Sequence, residues 1–236
     1  MRGSLDLEDH LASADLGASL RTVTGPAGDI AALPPRVEEL GVTCPNVALA
    51  AAYLEARWPK MRPFFIGAGS PTEFVQEGKV VPFTTRVGFG YYNGVIIELC
   101  EPGVGSDVFG RTPADAGQLR INHLGFFGRA PDLTRTDARV CRSFSANLAL
   151  AGYRRRVEAS VNTLGFIAHV QIFDPDDAAD PVGIEFLDFR LFSKRGIKLG
   201  YPAALVSFGG WLQKHHLLLP RVVSLRPQAQ LPPAPE

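Results

Sequence analysis

The sequence predicts an α+β protein in which two βαβββ modules pair into a cup-shaped mixed sheet, with an extra C-terminal helix. The first observation is an internal repeat: Glu39-Leu40-Gly41-Val42 recurs as His123-Leu124-Gly125-Phe126, and Val95-Ile96-Ile97-Glu98-Leu99 recurs as Val182-Gly183-Ile184-Glu185-Phe186. The second is the spacing, since the two pairs of segments lie 84 and 87 residues apart, as one duplicated unit requires. The third is that both copies contain one helix-like stretch followed only by strand-like stretches.

The first module spans residues 35–102. A strand is predicted near 37–43, and Pro45-Asn46 predicts a helix start with Asn46 as N-cap, followed by an alanine-rich helix over 47–57. Stretches rich in β-branched and aromatic residues then predict three strands, at 62–66, 83–91 and 95–100. Asn93-Gly94 predicts a tight hairpin turn between the last two strands.

The second module spans residues 118–192 and follows the same order, after a linker at 103–117 that is rich in glycine at its start. Its first strand is predicted at 120–127, and its helix at 136–151, where Gly152 ends it. Three more strands are predicted, at 154–162, 166–173 and 183–191.

The two ends of the chain lie outside the modules. Residues 1–34 form an N-terminal extension with one marginal helix, because Gly25-Pro26-Ala27-Gly28 interrupts its loose leucine periodicity. Residues 193–236 contain a helix predicted over 202–218 and a proline-rich tail at 231–236 that is expected to be disordered.

Composition excludes several classes of partner. The chain has 236 residues, 46% of them hydrophobic, and its 24 Lys+Arg balance its 24 Asp+Glu, so neither nucleic acid nor an anionic membrane is an expected partner. There is no apolar run of membrane-spanning length and no signal-peptide core. Three widely spaced cysteines in apolar surroundings, Cys44, Cys100 and Cys141, indicate core thiols in a reducing compartment, and a cytoplasmic location is expected.

Each copy of the repeat places one candidate metal ligand near its start and one near its end. These four residues are Glu39, Glu98, His123 and Glu185, which two modules folded face to face would bring together. Because strand side chains alternate, Glu98 shares a face with apolar Ile96 and Cys100. A carboxylate in such surroundings is unfavourable to bury alone, and a divalent cation removes that penalty.

Structural alternatives remain open for each candidate. Glu39 stands beside Glu38 and near Arg36, as expected for an exposed strand end, and it is the weakest of the four as a ligand. Arg86 and Arg190 are alternative partners for Glu98 and Glu185. A lone histidine is more often a core residue than a ligand, so the duplication carries most of the weight for His123.

Two segments resemble motifs of a known family. Ile96-Ile97-Glu98-Leu99-Cys100-Glu101-Pro102 is similar to the fourth-strand signature of the vicinal oxygen chelate superfamily, and Ile121-Asn122-His123-Leu124-Gly125-Phe126 is similar to the opening of its second module. This superfamily includes glyoxalase I, methylmalonyl-CoA epimerase, extradiol dioxygenases and antibiotic-resistance proteins. The resemblance covers about residues 35–192. It implies one divalent metal ion held by the four candidate residues, with Glu39 in place of the Gln or His of the glyoxalase I pattern.

The resemblance and the donor set together predict a type of reaction. Three carboxylates and one imidazole suit a Lewis-acid ion such as zinc, nickel, cobalt, manganese or magnesium. We therefore expect a metal-dependent isomerase, epimerase or lyase that transfers a proton next to a metal-bound carbonyl, with Glu185 and Glu98 as the catalytic carboxylates. The numerous aromatic residues of the predicted strands favour an apolar or aromatic small-molecule substrate. The predicted substrate contacts are His169, Tyr91, Phe65 and Phe127.

Two other function classes stay open. An extradiol-type dioxygenase would need ferrous iron and a second histidine ligand, for which His169 is only a remote candidate. A metal-free binding protein for an apolar small molecule would have its glutamates in salt bridges. Arg154-Arg155-Arg156 is compatible with contact to a coenzyme A phosphate, although a solvated strand edge is the favoured interpretation. The pairing of modules within one chain or across a homodimer also stays open.

Overall fold

The computed structural model describes residues 6–24, 33, 36–69, 73–105, 108–109, 119–127, 138–163, 166–175, 182–191, 203–215 and 217. Within these ranges the chain forms one mixed β-sheet with helices packed on it. The helices are α1 (Leu7–Leu11), α2 (Leu16–Arg21), α3 (Val47–Arg57), α4 (Ala138–Leu150) and α5 (Ala203–Lys214). The strands are β1 (Glu39–Thr43), β2 (Arg62–Gly69), β3 (Glu73–Gln76), β4 (Lys79–Val80), β5 (Thr85–Tyr92), β6 (Val95–Cys100), β7 (Arg120–Phe127), β8 (Tyr153–Thr163), β9 (Phe166–Pro175) and β10 (Gly183–Leu191).

The order of the strands shows the duplication directly. The sheet runs β2-β5-β6-β1-β7-β10-β9-β8-β3-β4. From the central pair outwards, each module presents its first, last, third and second strand, and β1 and β7 pair antiparallel at the centre. In each module the first strand also pairs parallel with the last. The predicted α+β architecture of two βαβββ modules is therefore confirmed, and the modules pair within one chain.

All predicted helices and strands of the modules are present, and four of them have the expected bounds. Strands β6, β7 and β10 and helix α3 begin and end where the sequence predicts. The side chain of Asn46 accepts a hydrogen bond from the backbone N–H of Leu49 at 3.0 Å, which confirms it as the N-cap of α3. Asn93 and Gly94 both have positive φ, 45° and 84°, as the predicted tight hairpin turn requires.

The hairpin β3-β4 is an addition that the sequence analysis missed. These two short strands follow β2 in the chain, but β3 pairs with β8, at the far side of the second module, and β4 pairs with β3. Gly69 and Glu73 are four Cα steps apart, so the ends of β2 and β3 lie within about 15 Å of each other. Because β2 and β3 stand near opposite ends of the strand order, the sheet must curl round, which produces the cup.

The N-terminal residues contribute to the core more than predicted. Two capped helices, α1 and α2, replace the single marginal helix, and four leucines on them are buried in the main apolar core: Leu7, Leu11, Leu16 and Leu20. Tyr153 of β8 donates a hydrogen bond to the Thr24 carbonyl at 3.1 Å. Helices of five and six residues carry little periodic signal and depend on tertiary burial for stability.

Helix α5 covers the outer edge of β2, where backbone groups would otherwise lack partners. The side-chain amide of Gln213 accepts from the Ile66 N–H at 2.7 Å and donates to the Ile66 carbonyl at 2.8 Å, in place of a neighbouring strand. The predicted helix at 202–218 is thus confirmed in its central part, whereas the predicted tail at 231–236 lies outside the described residues. Among the described helices, none combines the length and apolar character that crossing a bilayer needs.

The described cysteines are core residues, as predicted. Cys44 and Cys100 are free thiols and fully buried, and burial raises the pKa of both well above the ordinary value. Such thiols are protonated at neutral pH and unreactive. The side chain of Cys141 lies outside the described residues.

Candidate metal centre

The four candidate ligands converge inside the cup. One ligand atom from each of Glu39, Glu98, His123 and Glu185 lies within 4.8 Å of all the others. His123 Nε2 is 2.9 Å from Glu185 Oε2 and 3.2 Å from Glu98 Oε2. Three of the four residues are at least 96% buried, and the side chain of Glu98 is 13% exposed. The repeat therefore identified residues that lie together although they come from four different strands.

Strand register explains why these side chains meet. Gly41 lies between Glu98 on β6 and His123 on β7, and Gly125 lies between Glu39 on β1 and Glu185 on β10. Partners in register point to the same face of a sheet, so all four ligands project from the inner face. Each central strand thus provides one ligand and, two residues later, a glycine.

The two glycines leave the space that the ligands occupy. A Cβ atom added at Gly41 would overlap the imidazole ring of His123, and one added at Gly125 would lie 2.6 Å from the Cβ of Glu39. Side chains at these positions would separate the ligands on neighbouring strands. In the sequence these glycines indicate only the repeat, and their role in making space was not predicted, although their presence in both copies was the available signal.

A β-bulge orients the imidazole of His123. Gly41 is opposite His123 but Val42 is opposite Ile121, so Asn122 is an extra residue in β7. The bulge lets adjacent side chains meet, and His123 Nδ1 lies 3.0 Å from Asn122 Oδ1. When Nδ1–H donates to this amide oxygen, Nε2 presents its lone pair to the carboxylates, as a metal-ligating histidine does. The sequence offers no local signal for this bulge.

The electrostatics of the cluster favour bound protons or a cation. Burial raises the pKa of Glu39 well above its ordinary value, and the charges of Glu185 and Glu98 raise it further. Burial likewise raises the pKa of Glu185, although His123 opposes this effect. For His123, burial lowers the pKa, but the carboxylates of Glu185 and Glu98 outweigh burial and raise it. Three carboxylates cannot all be ionised here without compensating positive charge.

The residues present fit a divalent ion. Glu39 Oε2, His123 Nε2 and Glu185 Oε2 are buried and make no hydrogen bond of acceptable geometry within the described part of the chain. Around an ion with bonds of about 2.1 Å at right angles, neighbouring donor atoms stand about 3.0 Å apart. The separations of 2.9 and 3.2 Å at Nε2 match this spacing. Oxygen and imidazole donors suit zinc, nickel, cobalt, manganese or magnesium.

The structure corrects two of the alternatives. Glu39 is 1% exposed, so it is not an exposed strand end. Arg36, its expected ion-pair partner, instead pairs with Asp15 at 2.8 Å on the surface. Arg86 lies 3.7 Å from Glu101 on the opposite face of the sheet, so it does not neutralise Glu98. The side chain of Arg190 lies outside the described residues.

The predicted substrate contacts separate into two groups. Tyr91 and Phe127 belong to an apolar cluster next to the metal ligands, called here the mouth cluster: Ile96, Phe127 and Leu187 with the partly exposed Phe89 and Tyr91. Phe65 is on the inner face, where Phe89 is its register partner. It lies on β2, at the edge of the sheet away from the candidate ligands, and is close to Gly209 of α5.

His169 does not join the ligands. It is three residues from Ile172, which is the register partner of Glu185, so His169 faces the outer, helix-covered side of the sheet. There its Nδ1 lies 2.9 Å from Ser160 Oγ. Side chains alternate between the two faces of the sheet along β9. The pairing of β9 with β10 determines which of them share the inner face with Glu185, and His169 does not.

Comparisons with known proteins concern fold only. No family model and no curated protein sequence matches this chain. Among solved structures, a variant of methylmalonyl-CoA epimerase from Streptomyces coelicolor in complex with 2-nitronate-propionyl-CoA has a TM-score of 0.35 and 15% identity over 64% of this chain and 95% of that chain. A methylmalonyl-CoA epimerase in complex with methylmalonyl-CoA and NH4+ gives 0.33 and 16% over 64% and 92%. A mutant 4-hydroxymandelate synthase from Streptomyces coelicolor gives 0.38 and 10% over 77% and 56%.

The structure contains the paired βαβββ modules that the sequence predicts. The evidence for these modules is the strand order of this chain itself. At these TM-scores the likeness says nothing about what the chain binds or which reaction it catalyses.

Metal binding should become stronger as the pH rises. Without metal, the fold holds protons on Glu39, Glu185 and His123 that the unfolded chain releases above the ordinary pKa values of 4.5 and 6.5. The stability of the metal-free protein should therefore fall as the pH rises from about 5 to 8. Because metal displaces these protons, the increase in Tm on adding Mn²⁺ or Zn²⁺ should be larger at pH 8 than at pH 5.5. Thermal unfolding with metal and with chelator checks this, and an equal or larger increase at pH 5.5 would contradict it.

Proposed function

We propose that this protein is a divalent-metal-dependent isomerase, epimerase or lyase that transfers a proton at the carbon next to a carbonyl group of an apolar or aromatic small molecule. The single observation that carries the proposal is the buried cluster of Glu39, Glu98, His123 and Glu185, in which three donor atoms lack hydrogen bonds within the described residues. All four would hold the ion. When bound, the ion supplies Lewis-acid stabilisation of negative charge on a substrate oxygen.

Two of the carboxylates are assigned to proton transfer. Glu185 belongs to the second module and Glu98 to the first, and each has an oxygen within 3.2 Å of His123 Nε2. Burial raises the pKa of Glu185 above its ordinary value, which makes it a stronger base than an exposed glutamate once it is ionised. Glu98 has the most exposed side chain of the four, and on this basis we assign it the return of the proton.

The surroundings of the cluster support an apolar substrate. The mouth cluster supplies aromatic and aliphatic side chains on the same inner face, with Tyr91 and Phe89 partly exposed. Apolar walls exclude water from the proton-transfer step and favour a substrate whose body is itself apolar. We assign Tyr91 and Phe127 as substrate contacts on this basis.

One observation favours a second candidate, a metal-free binding protein. His123 has a raised pKa and lies between two carboxylates, so a protonated imidazole would partly neutralise the cluster. For the dioxygenase alternative, the described residues place no second histidine near the ligands, because His169 lies on the outer face.

Solvent deuterium exchange tests the reaction. The protein, loaded with metal, is incubated in heavy water with a panel of apolar ketones, thioesters and 2-hydroxy carbonyl compounds, and deuterium next to the carbonyl is measured by NMR. We expect uptake for at least one compound, and Glu185→Gln should slow it by roughly 100-fold or more because it removes the base at nearly constant volume.

Controls separate the three classes of function. Glu158→Gln, on the exposed surface of β8, should leave the exchange rate unchanged. Loss of exchange in Glu98→Gln but not in Glu185→Gln would transfer the role of base to Glu98. Oxygen consumption with bound iron would overturn the isomerase proposal, and binding of a compound with neither exchange nor product formation would favour the metal-free binding protein.

A further inference from the structure

Two described residues of the predicted linker at 103–117, Val108 and Phe109, lie close to the metal cluster. Val108 and Phe109 are buried, with exposures of 0% and 7%. The Phe109 ring lies 6.3 Å from the imidazole of His123, centre to centre, with 33° between the planes. Phe109 therefore covers the ligand that the bulge at Asn122 orients.

Phe109 is part of an apolar group that fills one end of the cup. This plug cluster contains Phe74, Phe83, Cys100, Val108, Phe109 and Ile172. Its rings follow one another, with 4.4 Å between the centres of Phe74 and Phe83 and 5.8 Å between those of Phe83 and Phe109. It joins the added β3-β4 hairpin to the linker.

The two apolar clusters lie on opposite sides of the ligands. Along β6, the inner-face residues are Ile96 in the mouth cluster, then Glu98, then Cys100 in the plug cluster. Each cluster has buried members with partly buried residues packed against them, and Val170 packs against both clusters. The aromatic residues differ, because Phe89 and Tyr91 of the mouth cluster are partly exposed, whereas Phe74, Phe83 and Phe109 of the plug cluster are buried. Among the described residues, Phe109 therefore fills the side of the cup opposite the mouth cluster.

A buried arginine holds the linker in this position. A register shift between Arg155 and Val157 makes Arg156 the bulged residue of β8, and its side chain is 3% exposed, against about half for its neighbours Arg154 and Arg155. Arg156 Nη1 donates to the Val108 carbonyl at 3.0 Å, while Nη2 donates to Asp174 Oδ1 at 3.2 Å. Arg156 Nε also contacts the Asp174 carboxylate.

This arrangement depends on the shape of the guanidinium group. Its planar array of donors reaches the Asp174 carboxylate and the Val108 carbonyl at the same time, which the single ammonium group of lysine cannot reproduce. Burying such an ion pair is unfavourable unless its donors are satisfied, and the Val108 carbonyl satisfies one of them.

We infer that Arg156 is a positioning residue which, through the Val108 carbonyl, holds Phe109 against His123 and closes this end of the cup, so that substrate approaches the metal cluster past the mouth cluster. This inference rests on the proposed function in one respect, the presence of the metal. The closed end fixes the direction from which a carbonyl compound approaches and places its apolar body beside Tyr91 and Phe127. Arg156 touches neither substrate nor metal in this role.

Removal of metal by a chelator tests the inference. The full-length protein is loaded with Co²⁺, and EDTA-induced loss of the cobalt absorption is followed by stopped flow. Arg156→Lys, which retains the charge opposite Asp174, should speed cobalt loss roughly tenfold, as expected for the loss of one hydrogen bond from a charged donor. Phe109→Ala should have a similar effect, and the double variant should add little because both changes open the same end.

A matched control and a second measurement complete the test. Arg155→Lys, at the exposed neighbour that pairs with Glu158, should leave the rate unchanged. Hydrogen exchange of the peptide that contains Val108 and Phe109 should increase in Arg156→Lys and not in Arg155→Lys, whether or not metal is present. Unchanged exchange in Arg156→Lys, or additive effects in the double variant, would overturn the inference. If the wild-type protein binds no metal, but hydrogen exchange still increases in Arg156→Lys and not in Arg155→Lys, the proposed function would be overturned. The role of Arg156 in positioning Val108 and Phe109 would then remain supported.

Discussion

Replacement of Gly41 by alanine is expected to abolish metal binding although no ligand is changed. The added Cβ would occupy the position of the His123 ring, so the imidazole must leave the cluster or β1 must separate from β7. We expect the affinity for Mn²⁺ or Zn²⁺ to fall by more than about 100-fold, with a loss of roughly 1–3 kcal/mol in the free energy of unfolding of the metal-free protein. Isothermal titration calorimetry and denaturant unfolding measure the two quantities.

A matched glycine and a double variant establish the cause. Gly67→Ala adds the same methyl group to a strand of the same module, where the nearest heavy atom, Cε1 of Phe65, is 3.9 Å away, and it should be neutral. If the clash with the ring is responsible, Gly41→Ala should destabilise the protein much less in the His123→Ala background. An equal loss of stability in both backgrounds would show that Gly41 acts on the strand itself.

Loss of stoichiometric metal is expected when either fully buried ligand of the second module is removed. His123→Ala and Glu185→Ala each delete a donor from the 2.9 Å contact at the centre of the cluster. Protein purified without chelator should contain close to one divalent ion per chain, and each variant should retain at most a small fraction of it. Elemental analysis by mass spectrometry gives the result directly.

His169→Ala is the control for the histidine variant. It removes an imidazole from the same half of the sheet but from the outer face, where Ser160 is its partner, and the metal content should not change. Metal retained at the wild-type level in both His123→Ala and Glu185→Ala would refute the assignment of the cluster as a metal centre. Loss of metal in His169→Ala would show that a metal ligand lies on the outer face of the sheet, which would contradict the proposed centre on the inner face.

The separate contributions of sequence and tertiary structure are clearest at the ligands. The four candidate ligands could be chosen from the sequence because both copies of the duplicated unit carry candidate ligands at equivalent positions. They are Glu39, Glu98, His123 and Glu185. Their convergence inside one cup followed from the module order. The burial of Glu39 could not be predicted, since a neighbouring Arg36 suggested an exposed ion pair, and only the packed chain shows that Arg36 turns to Asp15 instead.

Elements with strong local signals were predictable for the same reason. The Asn46 cap, the Asn93-Gly94 turn and the alternating strands β6, β7 and β10 depend on interactions between residues close in sequence. The short helices α1 and α2 and the hairpin β3-β4 depend on distant partners, such as Tyr153 for the Thr24 carbonyl and β8 for β3. Their own residues carry too little periodicity to indicate them.

The two-module fold, the four candidate ligand positions and the turn and cap residues could be predicted from the sequence, because repeats, periodicity and short-range hydrogen bonds depend on residues that a linear pattern reveals. Only the tertiary structure decided which face His169 occupies, which strands bulge at Asn122 and Arg156, and that Phe109 covers His123. These features depend on register between strands that are far apart in sequence. A shift of one residue in that register reverses the face of every side chain, and local patterns do not encode it.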